Sequence, residues 1–254
     1  MQFLKIYLLL LGFAVLSVPV YSQSKIDSLD KLLQKEKNDS VKFTLYNSLS
    51  RLSLQSNPEK SMQYARGMHV LAVKINDKAQ RGMALNIIGI VHRNLGNYDS
   101  AMHYYSHALA MRKEIDDKKG IGASYNNIGL LEYHRGNYSK SIENYLGALK
   151  IFESMKDSLR SPSHQKSIAL TYNNLALVHH EQGNYDKALV FYQEFLRMNM
   201  LLNDKLGMGV SLNNIGVVYE KKKDFEKPKE SAKTKDAWKE FRSIKNTFST
   251  RTRS

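Results

Sequence analysis

The sequence predicts an all-α fold, a solenoid of stacked antiparallel helix hairpins, and three observations carry that prediction. The first is an internal repeat. YNNIGLLEYHRGNYSKSIENYLGALK (Tyr125–Lys150) has a counterpart forty residues upstream, LNIIGIVHRNLGNYDSAMHYYSHALA (Leu85–Ala110). It returns forty-seven residues downstream from Tyr172 as YNNLALVHHEQGNYDKALVFYQEFLR, and after forty more from Leu212 as LNNIGVVYEKKKDFEKPKE. A period of this size marks one supersecondary unit stacked on copies of itself. The second is a small residue, Gly89, Gly129, Ala176 or Gly216, set in the middle of a helical pattern. Glycine there costs about 1 kcal/mol against alanine, which is justified where a neighbouring helix comes too close to admit a side chain. Ala101, Ser141 and Ala188 repeat the demand twelve residues later, and Ala108 and Ala148 seven beyond that. The third is the turn GNY, GNY, GNY, KDF. Its Asn97, Asn137, Asn184 and Asp224 are residue types that cap a helix start, and Tyr98, Tyr138, Tyr185 and Phe225 are expected to wedge between paired helices.

At these residues the chain resembles the tetratricopeptide repeat, in a long-period form of about forty residues rather than thirty-four. TYNNLALVHHEQGNYDKAL (Thr171–Leu189) is similar to the repeats of kinesin light chain. The layout also resembles the exported repeat regions that precede sensor kinases in Bacteroidetes-type bacteria. The resemblance covers about residues 40 to 225 and implies a right-handed superhelix whose first helices line a concave, peptide-holding groove.

Met1–Ser22 stands outside the array. Lys5, the apolar run Ile6–Val20 and Val20-Tyr21-Ser22 read as a secretory signal peptide, so export, with a mature periplasmic chain beginning near Gln23, is the expectation. The run is about fifteen residues against the roughly 20 a spanning helix needs. No cysteine follows it to carry a lipid. Residues 23–39 are read as a capping helix, with Ile26, Leu29, Leu32 and Leu33 on one face. Residues 40–225 then hold about 4.5 hairpins, the first being Val41–Gln55 and Pro58–Val73, with Ser61 at the small-residue position. Asp77-Lys78, Asp117-Lys118 and Asp204-Lys205 are expected at turns and helix starts. Seven extra residues, Ser161-Pro162-Ser163 among them, lengthen the third connection into a longer turn.

The pattern fails near the end. Phe195 stands in the place of Ala108 and Ala148. Pro228 stands in the place of Ala101, and Lys235 in that of the second small residue. The loss after Lys227 leaves a natural end and a truncated or frame-shifted end both open. Residues 226–254 are read as a basic helix or tail, since Lys221–Ser254 carries twelve Lys and Arg against five acids. Trp238, Phe241, Ile244 and Phe248, interleaved with Lys239, Arg242 and Lys245, suit either a helix capping the last hairpin or contact with acidic lipid or an acidic partner.

No catalytic pattern emerges. Cysteine is absent, which excludes disulfides, thiolate metal sites and cysteine nucleophiles. The glycines lie singly, not clustered after a strand as a phosphate loop requires. His103 and His107 share a helix face without a carboxylate at zincin spacing, and His179-His180-Glu181 cannot chelate together and reads as helix surface. Neither cofactor, metal nor small-molecule substrate is expected. Nucleic acid is disfavoured despite a pI near 9.6, because the aromatics are committed to packing.

Asparagine is the functional candidate. Asn86, Asn126, Asn173 and Asn213 fall three residues before the close-packed position, and Asn127, Asn174 and Asn214 fall two before it. Asparagine is a poor helix former, so repetition at mid-helix needs a reason. The resemblance implies a ladder of amides on an extended peptide's backbone, for which each amide offers donors and an acceptor without a charge to desolvate. The other reading of the same amides is that they bond neighbouring hairpins together. Ile87 interrupts the row. The function expected is a non-enzymatic exported scaffold that binds a protein or peptide. The alternative is the sensory input component of a two-component-type system.

Overall fold

The computed structural model describes residues 23–155 and 161–225, with side chains to 222. Every regular element among the described residues is helical. The chain falls into two compact units that divide at Gly120/Ile121. The first holds α1 (residues 23–35), α2 (Asp39–Ser53), α3 (Pro58–Lys74), α4 (Lys78–Asn94), α5 (Tyr98–Glu114) and the start of α6 (Lys118–His134). The second holds the rest of α6, then α7 (Tyr138–Ser154), α8 (Pro162–Glu181), α9 (Tyr185–Leu201) and α10 (Lys205–Phe225). No helix among the described residues is long and apolar enough to cross a membrane.

Two kinds of turn join the helices, and both follow from residue chemistry. Within a hairpin, Gly96, Gly136 and Gly183 take φ of 76°, 76° and 72°. The next amide reaches back five residues, as Asn97 N–H to His92 O at 2.9 Å does. This closes the helix as a Schellman motif, where glycine escapes the steric penalty of left-handed backbone. Between hairpins the left-handed position belongs to Asn76, Asp116 and Asn203, the side chains that tolerate it best. Asp77, Asp117 and Asp204 then cap the next helix, each accepting a backbone N–H three residues on at 2.9 Å.

Several expectations change here. Asn97, Asn137 and Asn184 occupy the cap position but make no side-chain cap bond. Asn137 instead donates to Glu132 Oε2 at 2.7 Å, because the Schellman turn already fixes the backbone. Within the third connection, Ser161 and Pro162 are the cap and first residue of α8, since proline's missing N–H is harmless there. Leu32 is exposed while Ile26, Leu29 and Leu33 pack against Leu49 and Tyr64. The last difference is at Lys223-Asp224-Phe225, where α10 runs on as helix. Lysine stands there in the place of the glycine that would have turned the chain.

The seams inside the α4–α5 and α6–α7 hairpins are built from a glycine under a ring. A Cβ on Gly89 would meet Tyr105 at 2.6 Å, and one on Gly129 would meet Tyr145 at 2.9 Å. Tyr105, Tyr145 and Tyr192 are buried, and they, not the half-buried Tyr98, Tyr138 and Tyr185, fill the wedge. Two turns away, Arg112 lies over Gly82 and Phe152 over Gly122. Buried Arg112 donates from Nη1 to the Gly120 carbonyl at 2.9 Å, with Asp117 at 3.9 Å. Burial lowers its pKa and Asp117 opposes that. Ser141 Oγ donates to the Gly129 carbonyl at 2.8 Å. In the first hairpin Ser50 and Ser61 bond each other's carbonyls at 2.9 and 2.7 Å.

Candidate functional site

The second unit carries six of the seven asparagines, on three first helices, α6, α8 and α10. The two members of each pair have different surroundings. Asn126 on α6 donates from Nδ2 to Thr171 Oγ1 on α8 at 2.8 Å. Thr171, fully buried, donates a hydrogen bond from its hydroxyl to the Ser167 carbonyl at 2.8 Å. One hairpin later, Asn214 Nδ2 on α10 donates to Asn173 Oδ1 on α8 at 3.2 Å. Asn126 and Asn173 therefore take part in links between successive first helices, the second with Asn214 as donor, and at the last described helix Asn213 is exposed. In the first unit Asn86 is buried on α4, and Ile87 beside it is core.

Asn127, Asn174 and Asn214 are half-buried at one helical phase. Four residues before each stands Ala123, Leu170 or Val210, and three after stands Leu130, Leu177 or Val217. Offsets of four and three share a helix face, so each amide sits between two apolar side chains. Leu170, Val210 and Val217 are exposed, at 53%, 43% and 38%. The sequence reading did not single out these flanking residues, although their offsets from each asparagine were there to see.

The histidines take other roles. His179 is buried and stacked on Phe191, with ring centroids 5.5 Å apart and planes 6° apart, so it is core and not helix surface. Burial, then Lys187, lowers its pKa. His103 and His107 lie 4.4 Å apart. Among the described residues no group of three or more His, Cys, Asp or Glu gathers as a metal site. Pro228, Trp238, Phe241, Ile244 and Phe248 lie outside the described residues, as do residues 1–22, read above as a signal peptide, and five residues of the third connection.

The profile of the tetratricopeptide repeat family matches residues 80–154 and 167–227, more than half the chain. The chain belongs to the tetratricopeptide repeat family, an all-α scaffold fold suited to protein–protein interaction. No curated protein matches the sequence. Among solved structures it is similar to BtubC (BKLC) from P. vanneervenii, with a TM-score of 0.64 at 17% identity over 89% of this chain and 90% of that one. A Rap protein complexed with Competence and Sporulation Factor gives 0.64 at 16% identity, over 89% and 70%. The kinesin light chain TPR-like repeats of Podosopora anserina give 0.59 at 12% identity, over 86% and 100%. At these identities the likeness is one of fold.

Proposed function

We propose that the second unit binds an extended protein or peptide segment along Asn127, Asn174 and Asn214, as a non-enzymatic scaffold. One observation carries the reading: the second asparagine of each pair stands half-buried between two aliphatic side chains at the same helical phase on all three helices. Packed helices stand about 8–10 Å apart, close to three residues of extended chain at about 3.3 Å each. Successive amides therefore suit backbone groups about three residues apart, and the aliphatic rows suit apolar ligand side chains. Because Asn214 gives its Nδ2 to Asn173, its side-chain oxygen is the group offered to a ligand N–H.

The Rap protein of similar fold was solved with Competence and Sporulation Factor bound. That supports a held ligand as the use of this fold, and with it the alternative of a sensory input component. Export before binding belongs to the same proposal, resting on Lys5 and the apolar run after it. The intact mass of the chain from its host tests it, and a cytoplasmic species retaining Met1–Ser22 refutes it.

The groove is tested with peptides selected from a displayed random library. Each amide bond contributes about 0.5–1.5 kcal/mol net. Replacing Asn127, Asn174 and Asn214 together with alanine should weaken the selected peptides by roughly one to three decades, with a melting loss no larger than the single Asn214–Asn173 bond accounts for. A large melting loss with unchanged affinity in the folded fraction would assign the row to stacking.

A further inference from the structure

α10 presents a glycine pair spaced like the others, and Gly209 in it is exposed. In α4 and α6 the glycines seven residues apart, Gly82 with Gly89 and Gly122 with Gly129, are all buried. Their cover comes from second-helix side chains also seven apart, Arg112 with Tyr105 and Phe152 with Tyr145. The equivalent pair on α10 is Gly209 and Gly216. Gly209 is exposed, with nothing within 4 Å of where its Cβ would be. Gly216 is half-buried, where Gly89 and Gly129 are buried. Asn213, between them, is exposed where Asn86 is buried.

At the period of the earlier hairpins, Ala232 would have to supply the ring over Gly216, and Pro228 would fall inside the covering helix. That register already fails in the structure. α10 continues helically through Phe225, so the turn cannot lie at Lys223-Asp224-Phe225. A turn moved downstream moves the second helix with it.

Nine residues on, the pattern is present. Second helices cover the seam with the sets Ala101–Tyr105–Ala108–Arg112 and Ser141–Tyr145–Ala148–Phe152, every member buried. Ala237–Phe241–Ile244–Phe248 has the same offsets of four, seven and eleven, a small residue first and aromatics second and fourth. The intervening positions agree as well. Lys239 and Arg242 correspond to His103 and Ser106, both exposed, and Trp238 to the half-buried Met102 and Ile142. Such a second helix would leave residues 226–233 for the connection, within the usual span of helix–helix loops. Pro228 would fall in that connection, where it would interrupt no helix.

We infer that residues 234–250 of this chain dock on α10 as the second helix of a fifth hairpin, with Phe241 over Gly216 and Phe248 over Gly209. The occupant is this chain's own segment because its aromatic spacing matches the open glycine spacing, and because an eight-residue connection joins it to α10. The basic side chains then line the outer face of that helix.

The chain has no cysteine and a single tryptophan, Trp238, which makes the full-length protein directly testable. Gly209→Cys with Phe248→Cys, treated with a short bismaleimide, should crosslink within one molecule at least about ten times faster than Gly209→Cys with Lys239→Cys. In cysteine-free protein, Phe241→Ala with Phe248→Ala should move Trp238 emission to the red and open it to acrylamide, with less than a tenth of the helical signal lost. Equal crosslinking rates for the two pairs, crosslinks formed only between copies, or Trp238 emission already that of solvated indole in the parent protein would each overturn the inference.

Discussion

Gly89→Ala tests the seam most directly, because it adds one methyl where the packing leaves no room. The new Cβ would stand 2.6 Å from two ring carbons of Tyr105, against the roughly 3.5–4.0 Å at which carbons pack. Tyr105 is fully buried, so its ring cannot swing into solvent, and the two helices must part by about 1 Å. Two terms compete. Alanine gains about 0.8–1.0 kcal/mol over glycine in a helix, while overpacking a filled core costs about 1–3 kcal/mol. The second wins, for a net loss of up to about 2 kcal/mol. Gly147→Ala on α7 is the control, since its nearest neighbour, Tyr125, lies at 3.8 Å. There the propensity gain of about 1 kcal/mol should appear undiminished. Urea unfolding followed by circular dichroism measures both, read from midpoints at constant m. Combining Gly89→Ala with Tyr105→Leu removes the clash, so the cycle should show a favourable coupling of about 0.5–3 kcal/mol. If Gly89→Ala stabilises as much as Gly147→Ala, the ring does not rest on that glycine and the seam is misassigned.

Two further outcomes follow from caps and buried imidazoles. Asp204→Ala should cost about 0.5–2 kcal/mol, because its Oδ1 accepts the Gly207 N–H at 2.9 Å. Asn184→Ala should stay within about 0.5 kcal/mol, since Asn184 makes no side-chain cap bond; equal losses would remove the distinction between the two turn types. His69, His92 and His179 all have pKa values lowered, first by burial and then by Arg81, Arg66 and Lys187 respectively. The unfolded chain then binds protons at a pH where the folded chain does not. Stability is whole above the unfolded value of about 6.5 and falls as pH drops from there toward the folded values. The urea midpoint should be lower at pH 5.5 than at pH 8, and His179→Gln should shrink the difference; an unchanged difference would remove His179 from this effect.

The sequence by itself determined the repeat, the helix hairpin and the positions of the turns through Asp204. These depend on local chemistry that recurs at fixed spacing: glycine for left-handed backbone, aspartate for a helix start, and a small residue at mid-helix. It did not determine what the small residues face. Tyr105 and Tyr145 lie sixteen residues from their glycines across a hairpin, and nothing local separates them from the neighbouring Tyr104 or from Tyr98. His179 looked like surface for the same reason, since only the packed helix beside it supplies Phe191. The asparagines divide similarly. Their phase was legible, but that Asn126 and Asn173 serve bonds between helices, to Thr171 and Asn214, depends on residues forty-five and forty-one positions away. At the end of α10, one lysine in place of a glycine let the helix run on. That shift is invisible to a fixed period and appears only where the backbone is seen to continue.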